Sequence, residues 1–412
     1  MPLIRPFPGL RPAPEYVAGV IAPPYDVLNS NEARARAAGK PNSFLHISKP
    51  EIDLPADTDP YDAKVYERGR RNFQAMLTAG VIKRDSAPYY YFYRLVMGGH
   101  TQVGLVAAAS CADYASGRIR KHEHTQPAKE DDRVRQIDTL NAQTGPVFMT
   151  YRRSGKIDAI ATAATSGKPD VDVTADDGVR HTLWVVADQI RIYELSSAFE
   201  ALPRLYIADG HHRSAAALRV AEKRRAANPK HTGEEAHNYF LSVIFPDNQV
   251  QILDYNRVIR DLHGLAPAAF VERLQTAFEI ASQDAPAKPT MLGEFGMYLA
   301  GQWYRLRVRK EKVPSDPVSR LDISVLQEQV IGPILGVTDQ RRDKRIDFVG
   351  GIRGMKELER RVDSGEMAVA FAVYPTALAD LMAVADAGDV MPTKSTWFEP
   401  KLADGMVSHA LD

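Results

Sequence analysis

The segment from Leu205 to Arg225, LYIADGHHRSAAALRVAEKRR, constrains the fold of this chain more than any other. A short apolar run predicts a strand, Asp209 and Gly210 break it, and the alanine- and leucine-rich residues that follow are typical of a helix. A strand that turns directly into a helix aims backbone N–H groups and the positive end of the helix dipole at one point. The sequence therefore predicts an α/β element with an anion-binding corner.

Polar side chains crowd this predicted corner. Gly210 lets the backbone approach a ligand closely, and Arg213 can grip a phosphate with two N–H groups. His211 and His212 add donors, and Asp209 can hold Mg²⁺ or accept a proton from a hydroxyl. The alternative is a tight turn followed by exposed histidines. We favour phosphate binding, because cationic side chains at a helix N-terminus oppose the dipole unless an anion is bound.

Three paired strand patterns argue against a purely parallel sheet. Runs of apolar and β-branched residues flank turn residues at 89–109, 171–187 and 239–255, and each pair predicts a β-hairpin. Helical patterns lie between them and again beyond residue 262. We expect an α/β (α+β) fold with two parts. Residues 1–262 would form an N-terminal proline-rich arm and a mixed-sheet core, and residues 263–412 a C-terminal α/β portion.

Charge and cysteine content narrow the class of protein. The 412 residues include 52 basic and 52 acidic side chains, so the net positive charge that drives non-specific nucleic-acid binding is missing. The single cysteine, Cys111, has no internal disulfide partner, and no apolar run reaches the roughly 20 residues of a membrane span. We expect a cytoplasmic protein with no DNA, RNA or membrane partner. The oligomeric state stays open.

A second charged segment, IRKHEHTQPAKEDDRVR, spans residues 119–135. If its first part is extended, His122 and His124 share one face, but nothing nearby completes a zinc pattern. Glu123 is a candidate general base or Mg²⁺ ligand. The other candidates are Lys129 and Arg133 as phosphate partners, with His122 and Thr125 as weaker substrate contacts. The alternative is a solvated charged loop.

Three further places offer candidate contacts. The loop PTKSTWFEPK at 392–401 combines a cation with two hydroxyls that suit phosphate oxygens, without the glycine spacing of a Walker loop. Its alternative role is packing through Trp397 and Phe398. The rigid turn APPYDV at 22–27 and the end of the strand QILDY offer weaker contacts, and proline turns usually serve packing. The candidates are Lys394, Ser395 and Thr396 for phosphate, and Tyr25, Asp26, Asn256 and Arg257 for substrate.

Five segments of the chain together resemble a conserved bacterial and archaeal protein family of unknown function: IRPFPGLRP, APPYDV, KHEHT, ADGHHR and MPTKSTWFEPKL. Around DGHHR the family is similar to the ParB/sulfiredoxin-like superfamily, which binds ATP or CTP phosphates at a short loop before a helix and includes free serine kinases. The resemblance implies a ParB/sulfiredoxin-like core. Sulfinic acid reduction is disfavoured, because His211 stands where sulfiredoxins have a cysteine. The chromosome-partition branch is disfavoured by the zero net charge.

The motifs and the resemblance together predict a phosphotransferase, a kinase that uses ATP or ADP and Mg²⁺. Its acceptor would be a small hydroxyl-bearing molecule, and the resemblance makes free serine the leading candidate. Two alternatives stay open: a nucleotide-binding regulatory switch with slow or no hydrolysis, and a phosphate-recognising hydrolase. The expected roles are phosphate binding by Gly210, His211, His212 and Arg213, catalysis by Glu123, Asp209 and His212, tentative Mg²⁺ binding by Glu123 and Asp209, and closure of the site by Lys394, Ser395 and Thr396.

Overall fold

The computed structural model describes all 412 residues, and they divide into two compact units. Residues 1–250 and 400–412 form the first unit, and residues 251–399 form the second. The expected boundary at residue 262 falls inside the second unit, because Tyr255–Ile259 is a strand of that unit's sheet. The C-terminal residues return to the first unit, where Ser408–Ala410 pairs with Gly9–Pro12.

The strands, in chain order, are β1 (Ile4–Arg5), β2 (Gly9–Pro12), β3 (Ile82–Arg84), β4 (Tyr90–Met97), β5 (His100–Ser110), β6 (Ile119–Arg120), β7 (Ala142–Gln143), β8 (Val147–Tyr151), β9 (Val171–Thr174), β10 (Arg180–Val186), β11 (Leu205–Asp209), β12 (Tyr239–Pro246), β13 (Gln251–Leu253), β14 (Tyr255–Ile259), β15 (Phe278–Gln283), β16 (Glu294–Leu299), β17 (Gln302–Val308), β18 (Ile346–Gly350), β19 (Val369–Val373), β20 (Trp397–Glu399) and β21 (Ser408–Ala410).

The helices are α1 (Val17–Val20), α2 (Ser30–Ala37), α3 (Leu45–Ser48), α4 (Ala63–Thr78), α5 (Cys111–Ser116), α6 (Pro127–Leu140), α7 (Gly155–Ala164), α8 (Gln189–Glu200), α9 (His211–Ala227), α10 (Pro267–Leu274), α11 (Asp322–Leu326), α12 (Met355–Asp363) and α13 (Leu378–Ala387). None of them combines the length and the apolar content that a membrane span requires.

A mixed sheet forms the core of the first unit. Its strand order is β6-β11-β8-β12-β5-β4-β10-β9, with β1 paired to β5. The pairs β6–β11 and β8–β12 are parallel and the others antiparallel, so the predicted mixed α/β fold is confirmed. The N-terminal arm supplies β1 to this sheet and β2 to a separate four-stranded sheet, β3-β2-β21-β7.

Two of the three predicted hairpins are present. Strands β4 and β5 pair in antiparallel register, as do β9 and β10. The third prediction is wrong: β12 pairs with β5 and β8, and β13 pairs with β20 in the second unit. Every residue of β12 is buried, so it takes a central position with a neighbour on each side, and neither edge is left for β13.

Helix α9 follows β11 and is held by small and β-branched residues. Ala216 and Val220 are fully buried and pack with Ile137 of α6 and Leu411. Ala217 and Ala221 face the core of the large sheet. The helix is therefore fixed on two sides, which gives its first turn a defined position at the end of β11.

The second unit has its own core. Its sheet is antiparallel throughout, in the order β15-β17-β16-β19-β14-β18. Phe270 and Leu274 of α10 pack with Phe295 and Phe371 of the sheet, all of them fully buried. The short strands β13 and β20 form a separate pair within this unit.

Candidate functional site

A single residue, Gly210, connects β11 to the 17-residue helix α9. Its φ of 98° lies in the left-handed region that favours glycine. A Cβ at this position would lie 3.0 Å from Nε of Arg213. No side chain caps the helix, although the first N–H groups of any helix lack intrahelical partners. The chain thus has the predicted strand, turn and helix, and any side chain at residue 210 would crowd the guanidinium group of Arg213.

Arg213 is the buried cation of this corner. Its side chain donates to the carbonyl of Pro146, and its Nη2 lies 3.6 Å from Asp26 and 3.7 Å from Asp209. Burial lowers the pKa of Arg213, but the two carboxylates outweigh burial and hold that pKa above its ordinary value. Arg213 is therefore a permanent positive charge, oriented from both sides at the start of α9.

Asp209 pairs with a second cation. Nζ of Lys401 donates to Oδ2 of Asp209 over 3.0 Å. Burial raises the pKa of the carboxyl, but Lys401 and Arg213 outweigh burial and hold the pKa of Asp209 well below its usual range. Asp209 is therefore ionised at neutral pH. Since a general base works best with a pKa near the working pH, Asp209 suits charge positioning better than proton abstraction.

The two histidines at the start of α9 are neutral hydrogen-bond acceptors. The backbone N–H of His122 donates to Nε2 of His211 over 3.4 Å, and that of Gln126 donates to Nε2 of His212 over 3.0 Å. Each ring therefore carries its proton on Nδ1. Burial lowers the pKa of His212 to about 4 and that of His211 well below its ordinary value.

Because both histidines are neutral, the electrostatic reason for phosphate binding inferred from the sequence does not apply to them. They do not oppose the helix dipole, so they give no reason of their own for a bound anion. The positive charge at the corner comes from Arg213 and Lys401 instead. Lys401 is absent from the predicted site residues, although it ends the segment PTKSTWFEPK that the sequence singles out.

The loop after β6 places both His122 and Glu123 beside the imidazole ring of His211. Strand β6 covers only Ile119–Arg120, so the extended run considered for residues 119–125 does not form. His122 is buried and its ring lies perpendicular to that of His211, with centroids 4.5 Å apart. Oε2 of Glu123 lies 4.0 Å from Nδ1 of His211. Burial lowers the pKa of His122 to about 4.

Helix α6 carries the other candidates from this segment. The guanidinium of Arg133 lies over the ring of Tyr25, 3.9 Å from its centroid, and Nε donates to Asp132 over 2.8 Å. The hydroxyl of Thr125 donates to Glu130, and Lys129 is exposed on the first turn. The guanidinium of Arg133 is thus already engaged by the Tyr25 ring and the Asp132 carboxylate.

A small cavity lies behind Arg213. Its volume is about 30 Å³, enough for one or two water molecules. Tyr25, Arg133, Arg213 and Asp404 are among its lining residues. Asp404 is 1% exposed, and burial raises its pKa to about 7. The sequence shows only an Asp-Gly pair here, which is typical of a turn.

The remaining candidates lie in the second unit. Arg257 is fully buried and donates to the backbone carbonyls of Tyr255 and Lys394. Asn256 accepts from the backbone N–H of Val373, and the Ser395 hydroxyl donates to the carbonyl of Pro392. Lys394 is exposed and adopts a positive φ of 60°, and Thr396 follows Ser395 in the same loop. These contacts order the 392–396 loop within its own unit.

Solved structures resemble parts of this chain at low identity. A free serine kinase in complex with AMP is 11% identical and covers 71% of this chain and 86% of its own, with a TM-score of 0.35. A conserved hypothetical protein from Pyrococcus furiosus is 14% identical and covers 73% and 93%, with a TM-score of 0.34. SbnI with a C-terminal truncation, from Staphylococcus aureus, is 12% identical and covers 73% and 85%, with a TM-score of 0.36. Alignments of this quality carry no functional argument.

The sequence itself matches a family over most of its length. A comparison with curated proteins finds no match. The family model described as "Protein of unknown function (DUF1015)" matches residues 4–324, a range that includes the β11–α9 corner and the Glu123 loop. The chain therefore belongs to the DUF1015 family.

Proposed function

We propose that this protein is a nucleotide-dependent phosphotransferase acting on a small hydroxyl-bearing molecule. The observation that carries the proposal is the pair of cations, Arg213 and Lys401, on either side of Asp209 at a helix N-terminus with no side-chain cap. Positive charges and backbone N–H groups that converge on one point suit the oxygens of a polyphosphate. ParB/sulfiredoxin-like ancestry of this corner is part of the proposal.

The nucleotide phosphates would lie over Gly210. In that position the backbone N–H groups of His211 and His212 and the two cations hold the phosphate oxygens, and glycine at residue 210 lets the backbone approach them closely. The rings of His211 and His212 contribute at most their Nδ1–H groups, because both Nε2 atoms accept backbone hydrogen bonds. Neutral rings donate without adding charge to the site.

Glu123 is the general base of this proposal. The acceptor's hydroxyl oxygen attacks the terminal phosphorus, the bond from that phosphorus to the nucleotide's bridging oxygen breaks, and Glu123 takes the hydroxyl proton. His211, whose Nδ1 proton faces Glu123 over 4.0 Å, orients the carboxylate. Asp209 positions the two cations, Lys401 and Arg213, through its carboxylate oxygens. The depressed pKa of Asp209 makes this carboxylate a weak base.

Carboxylates are the protein ligands that Mg²⁺ prefers, so Asp209 and Glu123 fit that ion by donor type. When bound, Mg²⁺ would offset the negative charge of the phosphates. ATP and ADP are the proposed donors. Free serine is the first acceptor to test, and this choice rests on the resemblance of the DGHHR motif to free serine kinases.

Thermal unfolding with and without nucleotide tests the proposal. A ligand that binds only the native state raises the melting temperature, by an amount equivalent to about 2.7 kcal/mol at one hundred times its Kd. We expect ATP or ADP with Mg²⁺ to stabilise the protein and inorganic phosphate to do so only weakly. Stabilisation by phosphate esters but by no nucleotide would favour the hydrolase. No stabilisation by any of them would contradict the reading of this corner as a phosphate site.

A further inference from the structure

A second cluster of histidine and carboxylate side chains lies in the connection between α9 and β12. It belongs to the segment HTGEEAH at 231–237. One ligand atom each from His231, Glu235 and His237 lie within 4.8 Å of one another. We propose that these three side chains bind one divalent transition-metal ion, with zinc as the best fit. This site is independent of the proposed phosphotransferase.

His237 supplies the observation that points most directly to a ligand. The residue is 7% exposed, and its Nε2 has no hydrogen-bond partner. A buried ring nitrogen that is left unpaired costs free energy, and such atoms are rare in native proteins. The residue lies in a short 3-10 segment, Ala236–Asn238, and its carbonyl accepts from the Cys111 thiol. A metal ion bound to Nε2 of His237 would give this nitrogen the partner that it lacks.

Glu235 is held in place as metal-ligating carboxylates usually are. It accepts hydrogen bonds from the backbone N–H groups of Thr232 and Gly233 over 2.7 and 2.9 Å, and from Nδ2 of Asn238 over 3.0 Å. Hydrogen-bond partners of this kind commonly fix the orientation of the side chains that bind a metal ion directly. Its Oε2 lies 3.2 Å from Nε2 of His231.

His231 can present its Nε2 atom to a metal ion by a change of tautomer. Its Nε2 also lies 3.2 Å from Oδ1 of Asn238, so two oxygen acceptors surround one nitrogen, which must carry the proton. The other neutral tautomer, which carries its proton on Nδ1, would leave the Nε2 electron pair directed at Glu235 and available to a metal ion.

The donor set selects the kind of ion. Two imidazole nitrogens and one carboxylate are a typical zinc set, with a fourth position for water, whereas Mg²⁺ and Ca²⁺ prefer all-oxygen sites. Ligand atoms of a tetrahedral zinc site lie about 3.3 Å apart. The His231–Glu235 pair already has that spacing. The three ligand atoms already lie within 4.8 Å of one another, so a small rotation of the partly exposed His231 ring would complete the set around the fixed Glu235 carboxylate.

Titration of the full-length, tag-free protein after chelator treatment tests the site. We expect one Zn²⁺ per chain by calorimetry, with affinity reduced at least about tenfold in Glu235→Gln and in His237→Asn. Glu234→Gln is the matched control, because Glu234 is adjacent and its side chain is 81% exposed. Its affinity should equal that of the wild type.

Cobalt gives a readout that needs no variant. Co²⁺ in a tetrahedral site with nitrogen ligands absorbs visible light strongly, and octahedral Co²⁺ with oxygen ligands absorbs weakly. We expect strong absorption that Zn²⁺ abolishes. Weak absorption would overturn the proposal. So would zinc binding that survives His231→Asn with His237→Asn, or that is lost instead in His122→Asn, since the ion would then lie beside His211.

Discussion

Arg213 combines a buried guanidinium with contacts on several sides. It touches the carbonyl of Pro146 and two carboxylates, and its Nε approaches the space above Gly210. A guanidinium group presents its N–H donors in a fixed plane, whereas an ammonium group is a compact point charge on a flexible stem. Charge alone therefore does not reproduce what Arg213 does at this corner.

Replacing Arg213 by Lys should weaken ADP binding by roughly 1–3 kcal/mol, because the charge stays and the fork of donors is lost. Calorimetric titration measures the change. Arg118→Lys is the matched control: Arg118 also pairs with two carboxylates in the first unit, Asp113 and Glu200, and its affinity should not change. Equal affinities in all three proteins would show that Arg213 holds no phosphate.

The protonation states at this corner could not be predicted from residue types. His211 and His212 look like two potential cations in the sequence. In the fold, the backbone N–H groups of His122 and Gln126 donate to them and burial excludes the charged form. The donors come from a segment almost ninety positions earlier in the chain, which no local pattern identifies.

At the scale of elements, the junction of β11 and α9 is where local sequence and structure agree best. The apolar run, the glycine and the alanine-rich helix are all local signals, and each forms as predicted. The third hairpin fails for a non-local reason, since β12 is buried on both sides and pairs with strands far away in sequence. Strand pairing in a large sheet depends on such partners.

Gly210→Ala should lower both stability and nucleotide affinity. A non-glycine residue at this φ costs about 1–2 kcal/mol, and the added Cβ would press on the Arg213 guanidinium. Gly178→Ala separates the two effects, because Gly178 has a φ of 83° and open space around its Cβ position. Urea unfolding should show similar losses for both variants, and only Gly210→Ala should bind ADP more weakly. Equal ADP affinity in the two variants would contradict the placement of the phosphates over Gly210.

At the scale of the whole molecule, the C-terminal residues are part of the first unit. Strand β21 lies between β2 and β7, and Lys401 and Asp404 approach Asp209 and Arg213 from this segment. The sequence predicts the C-terminal third as one α/β portion, since strand and helix patterns do not reveal which unit a segment joins. Lys401 and Asp404 were therefore missed as site residues.

Buried neutral histidines should make the protein sensitive to acid. Burial lowers the pKa to about 4 at four positions, namely His122, His181, His212 and His409. Between about pH 6.5 and 4 the unfolded chain binds protons that the native chain does not, so stability falls with pH, by about 1–3 kcal/mol per fully buried histidine. Asp322 and Asp404, whose pKa values burial raises to about 7, act in the opposite direction but are two groups against four.

Urea unfolding at pH 7 and pH 4.5 measures this dependence. We expect a lower midpoint at pH 4.5. His409→Asn should reduce the difference between the two pH values, because His409 is 2% exposed. His263→Asn, at an exposed position that already has a positive φ, should leave the difference unchanged. A midpoint that does not move with pH would show that these rings are charged in the native state.

A search for a phosphorylated product tests the phosphotransferase directly. The protein is incubated with Mg²⁺, ATP or ADP, and a pool of small hydroxyl-bearing metabolites that includes serine, and mass spectrometry identifies any phosphorylated product. We predict one product that depends on nucleotide, and its loss in Glu123→Gln while nucleotide binding is retained. Nucleotide binding without any product would contradict the phosphotransferase and favour a regulatory switch, and the absence of both would contradict the account of the β11–α9 corner.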